Sequence, residues 1–467
     1  MFFRFENRRL WILLLALVSL ASLAVAIHLV PFADGVHHPF GYDTGFYRRY
    51  LIEPLISFPN TPVPGLGTDA LVPRLLLDSL RVTPLTPEMI LYGTYIAFFA
   101  LLPILAFLFL RRRAGARAAY FAALFLVFSP IQYQAYWFMF WKNAWALLPL
   151  FFAFICIERR WWLLLCAADI AIALSHKTTA IIYLATLFVF ALINKESRKN
   201  ILLHALLTMT ILLLVGFPAI SGAIRISPEA AFIEWWEYVV FSIPFALIIL
   251  SYFLLRRWTW SVPPIFVAFV LASFSFPVLH LPFYQRIFVF SDIGLAILAG
   301  LALDAVLRGM SLVKIRLANV VALLLCVAGV GLLVGSLVSQ LYTLSPLMSP
   351  VNILRIQEIG RRMPRESTIL TTAQEAPWFE GFTLAHVAAP GMLHDDHNLE
   401  EWEAFWVSTS TNDRVRFLES LPQPLYIATL EDTAQLLGTS TIPCLRQVSS
   451  YLLYNECAAS SSAATQN

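Results

Sequence analysis

Long apolar runs separated by short polar hinges fill the first 341 residues, and the pattern changes character after them. A bilayer-spanning helix needs about 20 consecutive apolar residues. Segments 10–31, 88–110, 118–136, 143–157, 161–175, 178–194, 200–218, 237–255, 262–279, 287–306 and 317–341 meet or approach that length. They predict a mainly α fold, a polytopic transmembrane helical bundle of about eleven spans over residues 1–341. The run from Leu10 follows Arg4, Arg8 and Arg9, and Ala24-Val25-Ala26 resembles a cleavage site. It is long for a cleaved signal, so a retained first helix is expected.

Two stretches break the rhythm. The connection at 32–87 is far longer than any other in the bundle, and long connections tend to carry function. It contains GYDTGFYRRY, a short helix by pattern, and DALVPRLLLDSLRV, an amphipathic stretch suited to an interface. Thr86-Pro87-Glu88 then reads as the cap and first turn of the second span. After 341 comes a helix (NILRIQEIGRRM), strands at STILTT and PLYIATL, acidic helical stretches around 398–421, and a closing hairpin. This alternation predicts a C-terminal extracytoplasmic α/β domain over 342–457. The Ser/Ala-rich residues 458–467 form a disordered tail.

Composition agrees: 59% of residues are hydrophobic, 13% are charged, and the mean hydropathy is +0.73. So little charge cannot cover a water-exposed surface, and lipid must be the main solvent. The net charge of +3 hides an asymmetry, because residues 342–467 hold twice as many acidic as basic side chains. Basic residues instead cluster in alternate hinges: Arg111–Arg113 and Arg117, Arg159 and Arg160, Lys195 with Arg198 and Lys199, Arg256 and Arg257, and Arg308 with Lys314 and Arg316. The positive-inside rule then puts the N-terminus in the cytoplasm, and an odd number of spans puts the tail outside. The expected location is the plasma (inner) membrane, multi-pass, in contact with membrane lipids. With no basic face on a soluble segment, nucleic acid is excluded as a partner.

Asp43 leads the candidates for chemistry. It sits close behind the first span among Tyr42, Phe46, Tyr47 and Tyr50. A carboxylate there can take a proton from an incoming hydroxyl, and apolar surroundings raise its pKa toward usefulness. The plainer alternatives are that Asp43 caps the following helix or pairs with Arg48 or Arg49. His37, His38 and Glu53, with Asp34, share the loop and are candidates to assist or to hold a divalent cation, Mg or Mn, the one cofactor the sequence suggests. Nearly all of the short opposite hinges hold one cation against the charge bias: Lys142, Lys177, Arg225 and Arg286. Cations beside apolar helices suit an anionic lipid headgroup, whereas snorkelling at the interface is the structural alternative. Arg286 and Lys177 stand out because Gln285 and His176 share their tight hinges. Asp292, one to two turns into its span, and Asp169 are ionisable groups that lipid does not tolerate without a partner or a role. Cys444 and Cys457 flank the hairpin and are a candidate disulfide in an oxidising compartment; Cys156, Cys166 and Cys326 lie in apolar runs.

In this layout the chain resembles the GT-C fold membrane glycosyltransferases, prokaryotic type. HPFGYDTGFYRRYL is similar to the family's acidic first-loop segment, with Asp43 at the acidic position, and LSHKTTAIIYL and RIFVFSDIGLAILAGLAL are similar to recurrent helix-start segments. NILRIQEIGRRMPRESTILTT followed by APWFEGF resembles the opening of the family's outer domain. The WWDxG-type signature of oligosaccharyltransferases is missing. The resemblance implies an enzyme that moves a sugar, with inversion, from a polyprenyl-phosphate-linked sugar donor to a glycan, lipid or protein acceptor. Asp43 would be its base, and Arg286, Lys177 and Arg225 would hold the donor phosphate. Tyr47, His37, His38, Glu53, His176 and Asp292 would be accessory. The rival readings are a lipid or solute transporter or flippase, which calls for repeats and midplane helix breaks, and an inactive envelope-assembly scaffold.

Overall fold

The computed structural model describes residues 2–33, 41–52, 70–222, 233–255, 262–281, 284–310, 317–390, 397–408, 410–433, 437, 442 and 444–456. His37, His38, Glu53, Arg225, Cys457 and the expected tail at 458–467 lie outside these residues.

The apolar runs fold as helices. Among the described residues seven are long and apolar enough to cross a membrane: the Leu10–Ala33 part of α1 (Phe2–Ala33), α4 (Pro87–Ala114), α7 (Trp141–Arg159), the first part of α10 (Arg198–Gly222), α11 (Trp235–Leu254), α13 (Tyr284–Met310) and α14 (Leu317–Thr343). An eighth candidate is broken: α5 (Ala116–Val127) and α6 (Pro130–Trp137) meet at 42°. The break follows from Ser129-Pro130, since proline cannot continue the ladder and instead opens a helix that Ser129 caps by accepting from the Gln132 N–H at 3.2 Å. Three further apolar helices are shorter: α8 (Trp162–Ala173), α9 (Lys177–Ile193) and α12 (Pro264–Val278). Together these match the expected segments one for one, with three below the usual spanning length. In the long connection, α2 (Thr44–Ile52) and α3 (Leu71–Arg81) are the expected short helices.

The bundle has two chemically distinct ends. At one end lie the basic hinges, partly neutralised: Arg113 bonds Glu158 at 2.6 Å, Arg160 bonds Glu196 at 2.6 Å, and Asp304 is held by both Arg117 and Arg308. At the other lie α2 and the starts of α4, α7, α9 and α13. Inside, α5 and α13 pack so closely that a Cβ on Gly300 would lie 2.4 Å from the Ala122 backbone, the small-residue contact by which membrane helices gain dispersion attraction. Asp169 is fully buried between α8, α9 and α10, where Tyr183 donates to it at 2.7 Å and His204 Nδ1 lies 2.6 Å away. The partner that an intramembrane carboxylate demands is therefore there.

The residues after α14 form a mixed sheet with helices around it. Ser349 caps α15 (Pro350–Arg361). Then follow β1 (Thr368–Leu370), α16 (Ala376–Phe382), β2 (His386–Ala388), α17 (Leu399–Val407), α18 (Thr411–Ser420), β3 (Leu425–Ala428), β4 (Leu445–Ser449) and β5 (Leu452–Asn455). The sheet order is β2-β1-β3-β5-β4, with β1 parallel to β2 and β3 and the closing β4–β5 pair antiparallel. Trp378, Phe379, Ile353 and Ile356 form part of its core, so the WFE segment supports the domain. Cys444 is disulfide-bonded, while Cys156, Cys166 and Cys326 are free.

Candidate active site

The loop before α2 delivers Asp43 by a turn in which the Thr44 N–H donates to the Gly41 carbonyl at 3.1 Å. The Asp43 carbonyl then accepts from the Tyr47 N–H as α2 begins. From this helix and the turn before it several side chains reach the C-terminal domain. Tyr42 donates to the Ala373 carbonyl at 2.6 Å, Arg48 to the Gly381 carbonyl at 2.6 Å, and Arg49 to the Thr383 carbonyl at 2.6 Å and the Leu384 carbonyl at 3.3 Å. Arg48 also bonds Glu88 of α4 at 2.6 Å and lies over the Phe382 ring at 4.2 Å. Below them Gly45 meets Pro377 and Gly381 backbone to backbone. Both arginines are thus engaged by α4 and the domain, and neither pairs with Asp43.

Asp43 instead faces cations from other helices. It lies deep yet keeps partial solvent access, as a group in a recess does. Burial holds its pKa above the ordinary carboxylate value, and the positive charges of Lys142 and Arg286 oppose that shift. Tyr47, fully buried against Trp141 with ring centroids 5.7 Å apart, is raised well above the usual phenol value by burial and by Asp43. Tyr42 is pushed up to about 12 by the same causes.

His176 completes the cluster. Burial, reinforced by Lys142, Arg286 and Lys177, keeps its pKa well below 6.5, so the ring is neutral near pH 7. Its Nδ1 lies 2.9 Å from Thr179 Oγ1, which donates to Asn143 Oδ1 at 3.3 Å.

The recess therefore joins a carboxylate to cations at the beginnings of three helices. Lys142 is the second residue of α7, Lys177 opens α9, and Arg286 is the third residue of α13. Helix N-termini carry unpaired N–H groups and a partial positive charge, so together with these side chains they favour an anion. Lys177 is exposed at the rim, next to His176, and is not among the charges acting on Asp43. Lys142 stands in the expected set of lone cations, but its hinge gave no reason to place it beside Asp43. Asp292 does not join the group: it accepts from Ser129 at 2.6 Å and Gln132 at 2.8 Å and ties α13 to the α5–α6 break. Among the described residues no group of three His, Cys, Asp or Glu side chains is placed to hold a metal ion. His397, just before α17, bonds Glu401 and Ser420.

The sequence model of the dolichyl-phosphate-mannose-protein mannosyltransferase family matches residues 88–221. No curated protein matches the chain by sequence. Among solved structures, ArnT from Cupriavidus metallidurans bound to undecaprenyl phosphate is similar over 96% of this chain and 98% of its own, with 16% identity and a TM-score of 0.59. The Archaeoglobus fulgidus oligosaccharyltransferase complex with Zn and sulfate is similar over 88% of this chain and 68% of its own, with 13% identity and a TM-score of 0.59. The arabinofuranosyltransferase AftD from Mycobacteria is similar over 93% of this chain but 37% of its own, with 14% identity and a TM-score of 0.52. The chain shares the fold of these solved structures, and over residues 88–221 its sequence is similar to that mannosyltransferase family.

Proposed function

We propose that the chain transfers a sugar from a polyprenyl-phosphate carrier to a hydroxyl acceptor, with inversion at the anomeric carbon. The observation that carries this reading is that the buried Asp43 lies within electrostatic reach of Lys142 and Arg286, at the ends of apolar helices. Asp43 takes the acceptor's hydroxyl proton as the acceptor oxygen bonds the anomeric carbon. The bond from that carbon to the phosphate oxygen breaks, and the electron pair leaves with the lipid phosphate. Lys142, Arg286 and the three helix N-termini stabilise the charge that develops there, with Lys177 at the rim. Phosphate is a good leaving group, so the site needs a base and an anion hole rather than a general acid.

A lipid-linked donor fits the apolar helices that frame the recess, and ArnT, of the same fold, is known with undecaprenyl phosphate bound. The recess lies at the end of the bundle opposite the basic hinges. By the positive-inside rule that end is extracytoplasmic, together with the C-terminal domain. The deciding experiment is polyprenyl-phosphate-sugar turnover by the purified protein, wild type beside Asp43→Asn, with and without EDTA. Transfer that depends on Asp43 supports the reading, and the EDTA arm answers the metal question for the Zn-bound relative's fold. No release of lipid phosphate from any common sugar donor, with carrier flux in liposomes, would favour a flippase instead.

A further inference from the structure

A cleft of about 590 Å³ opens between α1, α4 and the C-terminal domain. Its walls are apolar residues of two spanning helices, among them Leu29, Phe32, Met89 and Ile96, and it is roofed by Gln357 of α15 and Phe382 of α16. Leu29 is 46% and Met89 60% exposed, so the cleft opens sideways at the level of the lipid. Its floor includes Gly93, where an added Cβ would meet no atom within 4 Å.

The mouth is polar and adjoins α2, which begins just after Asp43. Thr86 and Glu88 line it, and the Glu88 carboxylate is bonded by Arg48. Arg48 follows Asp43 by five residues, about 7.5 Å along a helix and well round from it. The same guanidinium lies over Phe382, which also lines the cleft. Charge decides between candidate occupants. No Lys or Arg is among the described lining residues and the one carboxylate is already matched, so a phosphate would find no neutralising partner there. The cations that suit a phosphate stand on the recess side, at Lys142 and Arg286.

We propose that this cleft seats the hydrocarbon chain of a lipid acceptor, whose uncharged hydroxyl-bearing head reaches Asp43 past Thr86, Glu88 and Arg48. This rests on the transfer reading and narrows its acceptor to a membrane lipid. The phosphate-bearing donor occupies the recess, and the two lipids approach α2 from different sides.

The test uses the full chain in nanodiscs, with polyprenyl phosphate bearing a radiolabelled sugar as donor and a total membrane lipid extract as acceptor. Gly93→Leu fills the floor of the cleft, and Gly93→Ala is the control that leaves room. Displacing two buried methylenes should weaken use of the acceptor by about tenfold. Expected are such a loss of acid-stable labelled lipid in Gly93→Leu, wild-type output in Gly93→Ala, and unchanged retention of the donor by both. A photoreactive benzoylphenylalanine in place of Met89 should capture the labelled product. Wild-type lipid product from Gly93→Leu overturns the proposal, and so does an equal fall in donor retention, which would put the donor's own chain in the cleft. Turnover that depends on Asp43 with the label on protein or polysaccharide defeats the lipid acceptor but spares the transfer reading. Absence of any turnover that depends on Asp43 removes both.

Discussion

Gly45→Ala should cripple transfer while leaving a folded protein. Gly45 follows Asp43 by two residues on α2, and a Cβ there would lie 1.7 Å from the Pro377 carbonyl oxygen and 2.5 Å from its carbon. These are main-chain atoms of α16, so no side chain can swing aside. Reaching the 3.4 Å edge of ordinary contact requires α2 and α16 to separate by about 1.7 Å. A shift of roughly 1 Å in a reacting group can cost about 10²-fold in rate, so a fall of that order in kcat is expected. Stability should suffer less: overpacking costs about 1–3 kcal/mol, and Ala regains up to about 1 kcal/mol over Gly within a helix. The bonds from Arg48 and Arg49 to carbonyls 381, 383 and 384 should keep the elements docked. Gly381→Ala approaches the same contact from the other side, with its Cβ 2.4 Å from the Gly45 Cα, and should behave alike. The assay is donor turnover resolved into kcat and KM, beside thermal denaturation in detergent. A folded Gly45→Ala protein with wild-type kcat would refute the idea that this contact positions Asp43.

Three further outcomes are expected. Asp43→Asn should lower transfer by about 10²-fold or more, as for loss of a general base, without lowering the melting temperature at neutral pH. The sign follows from burial: it raises the folded pKa of Asp43, so any stability from this group is held at low pH and lost as pH rises through the folded value. Arg286→Gln or Lys142→Gln removes a charge that lowers the Asp43 pKa, so the acidic limb of the pH–rate profile should move to higher pH as the rate falls; a limb shifted to lower pH would contradict the arrangement. His204→Leu removes the closest partner of the buried Asp169 carboxylate and should destabilise the bundle by about 1–2 kcal/mol, measured by thermal aggregation, with turnover per folded molecule retained.

Much of this was legible in the chain. The spans, the caps at Ser349 and Thr86 and the closing hairpin rest on local signals, namely apolar run length, Ser/Thr before Pro, and strand periodicity. The identity of Asp43 and Arg286 as candidates came from polarity out of place, which is also local. Which cation meets Asp43 was not legible, because Lys142 and Lys177 look alike in sequence. Only the packing of α7 and α9 brings the charge of Lys142 to bear on the carboxylate and leaves Lys177 exposed at the rim. The role of RR in GFYRRY was equally hidden. Its acceptors are main-chain carbonyls more than 330 residues away, and a carbonyl has no sequence signature. His204 as the partner of Asp169 needed the crossing of α8 and α10, which no periodicity reveals.

The electrostatics of the recess lead to a last expectation. In the free protein Lys142 and Arg286 both pull the Asp43 pKa down while burial pushes it up. An anionic lipid phosphate seated on those cations neutralises part of their charge and adds negative charge near the carboxylate. Both effects raise the Asp43 pKa, so the base becomes stronger when the donor is in place and stays weaker in an empty site. Since kcat/KM reports the free enzyme and kcat the donor complex, the acidic limb of kcat should lie at higher pH than that of kcat/KM. The separation should shrink in Arg286→Gln, where the donor has less positive charge to cancel. Coincident limbs in the wild type would mean that the phosphate does not sit on these cations, and the anion hole would then have to be sought elsewhere in the fold.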